Sequence, residues 1–95
     1  MKFTKKSLGQ NFLVDKNIIK KIISLVEIKD KNIIEIGPGL GSLTDEIINN
    51  KPKFLHLIEK DSSLYKKLKK KYSHSENIKI YNNDVLNFNL EKIVK

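Results

Sequence analysis

The chain has no cysteine, only two histidines and no apolar run approaching the roughly 20 residues that cross a bilayer. The missing thiols exclude disulfides and thiolate metal sites, and His56 and His74 alone are too few for a metal centre, so no metal is expected. Charged residues interrupt every apolar cluster near the N-terminus, which leaves no signal-peptide core and makes the cytoplasm the expected compartment, with no membrane partner. Acids are scarce beside bases: 11 against 19, every base a lysine, for a net charge of +8. That balance points toward a polyanion such as nucleic acid. Lysine, isoleucine and asparagine are all abundant, however, as an AT-rich coding sequence would produce, and lysine-rich surfaces also serve solubility. Glycine is sparse as well, yet three of the four glycines fall within five positions.

Ninety-five residues make one domain at most, and a chain of this size buries roughly two-thirds of its unfolded surface, so stability should be modest. The 39% hydrophobic content is that of a globular protein. Asp15 is placed to cap a helix in which Ile18, Ile19, Ile22, Ile23 and Val26 recur at helical spacing. A short apolar strand, 32–36, ends at Gly37, and 40–50 reads as a helix with Leu43, Ile47 and Ile48 inward. The near-continuous apolar run 54–58 reads as a strand buried on both faces, with Glu59 at its carboxyl end. In 62–72, Leu64, Leu68 and Tyr72 share one helical face while Lys66, Lys67, Lys69, Lys70 and Lys71 occupy the rest, as on a solvated surface. A third strand, 77–81, ends just before Asp84. Strand, helix, strand, helix, strand with short loops predicts a parallel α/β sheet of the doubly wound type, whose ligands bind at the carboxyl ends of the strands.

The run Glu35-Ile36-Gly37-Pro38-Gly39-Leu40-Gly41 joins the first strand to its helix. Glycine suits a backbone that turns sharply and that a ligand must approach closely, so the run reads as a cofactor cradle. A dinucleotide loop is usually G-x-G-x-x-G, whereas here the third glycine comes one residue early and Glu35 stands two residues before the first. S-adenosylmethionine carries a sulfonium and an ammonium and no phosphate, and is favoured over NAD on that ground. Glu59 follows Gly37 at close to the roughly 20-residue spacing at which an acid meets a ribose. Asp84 could accept a hydrogen bond from an adenine amine. Plainer roles stand beside these: Asp61 and Asp84 could cap the following segments, and Glu59 could pair with Lys60.

Four stretches together resemble the small-subunit rRNA adenine dimethyltransferase family: Lys6-Ser7-Leu8-Gly9-Gln10-Asn11-Phe12-Leu13, Glu35 through Thr44, Ile58-Glu59-Lys60-Asp61 and Asn83-Asp84-Val85-Leu86. The glycine loop alone would admit many class I methyltransferases; the Gly9–Leu13 element ahead of it is more specific. Erythromycin-resistance methyltransferases share the Gln-Asn-Phe element but generally lack the Pro-Gly-Leu-Gly form at 38–41, which favours the housekeeping branch. The resemblance implies a Rossmann-like class I methyltransferase fold. It implies that Asn11 and Leu13 cover the methionine end of S-adenosylmethionine, that Gly37 and Gly39 cradle the cofactor, that Glu59 holds the ribose and that Asp84 reads the adenine. Glu35 would act through water. Phe12 and Leu13 could also form a hydrophobic staple at the entry to the Asp15 helix, and the same residues could serve both roles. The implied reaction dimethylates the exocyclic amines of two adjacent adenosines in small-subunit rRNA, and Lys2, Lys5 and Lys6 are the candidates for RNA contact.

The family takes its acceptor groups for the target amine from an Asn-Leu-Pro-Tyr segment that this sequence does not contain. The expectation is therefore a first half of the domain: an N-terminal cofactor- and RNA-facing segment, 1–14, then three parallel strands with crossover helices, 15–95, without the catalytic loop or the C-terminal domain. No catalytic residue is assigned within the chain. Two other classes stay open, a non-catalytic RNA-binding remnant and an NAD-dependent oxidoreductase half-domain.

Overall fold

The computed structural model describes residues 15–93. The Asp15 carboxylate accepts from the N–H groups of Asn17 at 2.8 Å and Ile18 at 3.4 Å, and helix α1 follows as Lys16–Ser24. Strand β1 is Asn32–Ile36, helix α2 Ser42–Asn49, strand β2 Phe54–Ile58, helix α3 Ser62–Lys71 and strand β3 Ile78–Tyr81. Two 3₁₀ turns, Val85–Asn87 and Leu90–Lys92, follow. Helix α2 starts later than the apolar pattern suggests because Gly41 takes a left-handed φ of +93° and stands as its N-cap. No helix among the described residues is long and apolar enough to cross a membrane.

Apolar periodicity overreaches in α1. Ile19 and Ile23 are buried and Ile22 half-buried, but Ile18 is 44% and Val26 53% exposed. A nine-residue helix presents only a narrow i, i+4 stripe to the sheet, and the chain leaves the helix at Leu25, so Val26 falls out of register and Ile28 enters the core instead.

All three strands are parallel in the order β1-β2-β3. Ile33 lies opposite Leu55, Glu35 opposite Leu57, and Ile36 opposite Ile58, which in turn faces Tyr81. The strand order never reverses, and right-handed crossovers that advance in one direction pass over the same side of the sheet. Leu55 and Leu57 accordingly pack with Ile19, Ile23, Ile47, Leu68 and Tyr72 in one core on the helix side. The doubly wound arrangement expected from the pattern is thus represented here by one winding direction.

The opposite face corrects the expectation that β2 is buried on both sides. Phe54 and His56 are half-buried there and form a row with Tyr81 and Phe88, with ring centroids 4.7, 5.9 and 5.0 Å apart in that order. The His56 ring nitrogen Nδ1 lies 3.1 Å from the Tyr81 hydroxyl. Burial, aided by the neighbouring Lys79 ammonium, lowers the His56 pKa, and burial raises that of Tyr81.

Candidate functional site

The ladder of backbone hydrogen bonds continues past the strand ends. Gly37 N–H donates to the Ile58 carbonyl at 2.9 Å, Glu59 N–H to Tyr81 at 2.9 Å, and Asn83 N–H to Glu59 at 3.2 Å. The three post-strand segments are therefore held abreast, although they are far apart in sequence. Gly37, Glu59, Asp84 and Val85 together line a cleft of about 220 Å³. A larger groove, about 490 Å³, runs between α1 and α2 and carries Lys16, Lys20, Asp45 and Glu46. It gathers surface charges of two helices, whereas the strand-end cleft gathers acids from separate strands, which is where an open parallel sheet binds its ligands.

The glycines differ in what they do. Gly37 has φ +69°, and a Cβ built on it meets nothing within 4 Å, so space for a ligand remains beside the backbone. Gly39, at φ +61°, donates its N–H to Glu59 Oε1 at 3.1 Å. Gly41 is different: its absent Cβ would lie 2.6 Å from the Tyr72 hydroxyl oxygen, so packing within the protein demands glycine there.

Glu59 is 6% exposed, and its second oxygen accepts from Asp61 N–H at 3.0 Å. Pairing with Lys60 is not what holds it: both carboxylate oxygens sit on backbone N–H groups. A carboxylate has about four lone-pair sites, so capacity remains for hydroxyl donors in the cleft. Asp84 does cap, its Oδ1 accepting from Leu86 N–H at 3.0 Å, and Asp61 caps α3 through Leu64 N–H at 2.9 Å. The Val85 N–H has no acceptor among the described residues.

Behind the loop, the buried Glu35 carboxylate accepts from the Thr44 hydroxyl at 2.5 Å. Burial lifts its pKa to about 7; the Thr44 hydrogen bond opposes the rise, and the negative charges of Asp45 and Glu59 add to it. Thr44 is fully buried; it stands in the motif, but its bond to Glu35 escaped the sequence reading, as did the contacts of Lys71 with Leu40 and of Lys71 and Tyr72 with Asp45. A signal for Tyr72 existed, since a tyrosine on a core-facing stripe needs a partner for its hydroxyl. Asn11, Leu13, Lys2, Lys5 and Lys6 lie outside the described residues.

Known proteins bear on this arrangement. The family described as Ribosomal RNA adenine dimethylase matches residues 1–95. Ribosomal RNA small subunit methyltransferase A of Pelagibacter ubique (strain HTCC1062) is 50% identical over 82 residues, covering 86% of this chain and 30% of that relative. The solved 23S rRNA methyltransferase ErmE aligns with a TM-score of 0.73 at 34% identity, over 82% of this chain and 32% of the other. A dimethyladenosine transferase from Plasmodium falciparum aligns with a TM-score of 0.70 at 29% identity, over 79% and 28%. The chain spans about a third of the length of these relatives. A family match along every residue, on a Rossmann-like fold common to solved methyltransferases, shows that this chain belongs to the ribosomal RNA adenine dimethylase family.

Proposed function

We propose that the chain forms the methyl-donor pocket of an enzyme that uses S-adenosylmethionine to dimethylate the exocyclic amines of two adjacent adenosines in small-subunit rRNA. The observation that carries the reading is the convergence of Gly37, Glu59 and Asp84 on one cleft. A nucleoside cofactor matches that donor and acceptor set. The spare lone pairs of Glu59 receive the ribose hydroxyls, the second Asp84 oxygen receives the adenine amine, and the Val85 N–H addresses a ring nitrogen. Gly37 and Gly39 border the cofactor, and Asn11 and Leu13 cover its methionine end. The cofactor supplies a methyl group activated by its sulfonium. Glu35, with a pKa near 7, acquires its negative charge more readily when that cation is close.

Support for this donor over a dinucleotide comes from the loop. Gly41 N–H is spent on the Pro38 carbonyl at 3.0 Å and Gly39 N–H on Glu59, and an acid at that position would repel a pyrophosphate. Transfer then depends on alignment of amine and methyl and on exclusion of water. No Asn-Leu-Pro-Tyr segment of the kind that accepts the amine hydrogens occurs within these 95 residues, and the residues named here serve the donor side of the reaction. Lys2, Lys5 and Lys6, which flank the Gly9–Leu13 element, meet the RNA backbone.

Titration calorimetry of the chain with S-adenosylmethionine and with NAD tests the reading. S-adenosylmethionine binds and NAD does not, and Glu59→Ala weakens binding roughly tenfold to a hundredfold, the scale of hydrogen bonds to a charged acceptor. Preference for NAD would turn the assignment to an oxidoreductase. RNA binding that survives Glu59→Ala in a chain that binds neither cofactor would turn it to an RNA-binding module.

A further inference from the structure

The donor pocket leaves one feature of α3 unexplained. Lys66, Lys67, Lys69 and Lys70 are exposed along the helix, whereas the Lys71 ammonium donates to the Leu40 carbonyl at 3.2 Å and to Asp45 Oδ2 at 3.0 Å. Next to it the Tyr72 hydroxyl donates to Asp45 Oδ1 at 2.7 Å and stands 3.4 Å from the Gly41 carbonyl. At the other end of the same helix, Glu59 bridges the N–H of Gly39 and that of Asp61, the residue that caps α3. The glycine loop is thus held at Gly39 by the start of α3, and by the end of α3 through Lys71 on Leu40 and through Tyr72 on Asp45, whose N–H donates to the Gly41 carbonyl at 2.9 Å.

We infer that Lys71, Tyr72 and Asp45 form a clamp that sets the conformation of the Gly37–Gly41 loop for donor binding. The inference rests on the donor-pocket reading above. None of the three residues lines the strand-end cleft, so they act through the loop as positioning residues. Stability is a weak reason for the Lys71–Asp45 pair, because its side chains are 42% and 51% exposed and ion pairs in water contribute little. Geometry is the stronger reason. Both Asp45 oxygens are engaged, the Leu40 carbonyl accepts from Lys71 and the Gly41 carbonyl accepts from the Asp45 N–H at 2.9 Å, which restrains the peptide planes at 40–41, and the Pro38–Gly41 turn closes at 3.0 Å on the other side. Tyr72 is buried, and burial, aided by the hydrogen bond to Asp45, pushes its pKa up, which favours the protonated hydroxyl that donates to Asp45. Pre-set backbone groups bind a ligand more tightly because less ordering is required at the moment of binding.

The test is calorimetric titration of the 95-residue chain with S-adenosylmethionine, alongside melting curves and the amide resonances of Gly37, Gly39 and Gly41. Lys71→Met and Tyr72→Phe each weaken binding about three- to tenfold and shift those resonances in the free chain, and Lys71→Arg recovers most of the affinity. Ile23→Ala, a core change on α1, lowers the melting temperature and leaves the affinity of the folded chain unaltered. Affinities of both clamp variants within twofold of the parent would overturn the inference alone, as would an equal loss of affinity in Ile23→Ala. A parent chain that fails to bind S-adenosylmethionine would overturn the donor-pocket reading and the clamp with it.

Discussion

Gly37 adopts φ +69° with open space where a Cβ would stand, and Gly41 adopts φ +93° with the Tyr72 hydroxyl 2.6 Å from that position. The same substitution should therefore have different consequences at the two sites. Gly37→Ala carries only the cost of a left-handed alanine, about 1–2 kcal/mol, and places a methyl group in the open space where the proposed donor would approach. Gly41→Ala adds a collision with a buried tyrosine to that cost, and its melting temperature falls below that of Gly37→Ala by several degrees. Gly37→Ala, in turn, keeps its fold and loses S-adenosylmethionine binding. Indistinguishable melting curves for the two variants would contradict this division of roles.

Glu35 makes a second prediction at this scale. Its pKa rises on folding from 4.5 to about 7, chiefly through burial. Below about pH 4.5 the carboxyl is neutral in both states, and its favourable contribution is complete. Between there and about pH 7 the unfolded chain gives up the proton that the folded chain retains, so stability falls as pH rises through this window. The loss is on the order of 3 kcal/mol at 1.36 kcal/mol per unit. Glu35→Gln abolishes that part of the pH dependence, and thermal melts of both proteins between pH 4.5 and 8 measure it. Unchanged slopes in the variant would show that the proton is held elsewhere.

Elements were legible where a short-range cause dominates. Asp15 and Asp61 cap helices as their side chains dictate, and each strand ends within a residue of the position its apolar run suggests. Burial was less legible. Ile18 and Val26 fit the period yet face solvent, because α1 touches the sheet along one narrow stripe, and Phe54 and His56 belong to an aromatic row that covers only part of its face. The lysine run of α3 also divides: Lys71 turns to the glycine loop while its neighbours stay in water. Under the proposed function, charge reversal at Lys69 and Lys70 should therefore weaken RNA binding less than charge reversal at Lys5 and Lys6. Filter binding over a salt series gives the order, because each lost phosphate contact lowers the salt slope by about one. The reverse order would move the RNA path to α3.

For the molecule as a whole, the decisive feature is a parallel sheet whose three strand ends are bonded to one another. Among the described residues the outer edge of β1 has no partner strand, and Ile36 on that strand is 55% exposed. An unpaired edge with apolar side chains invites pairing with another chain. The 95-residue polypeptide should accordingly show a melting temperature that depends on protein concentration, or a sedimentation mass above that of the monomer. A sharp melt that is independent of concentration, with a monomeric mass, would contradict this.

The sequence by itself determined the order of strands and helices, the caps, and the place of the glycine run with its acids, because each follows from residues within a few positions of one another. The family was legible too, in Gly9–Leu13 and Glu35–Thr44. Only the tertiary structure decided what those residues touch. It put Glu59 on the N–H of Gly39, Thr44 on Glu35, and the end of α3 on the carbonyls of Leu40 and Gly41. Such contacts join groups 9 to 31 positions apart, and their partners depend on register and crossover direction, which no local pattern encodes.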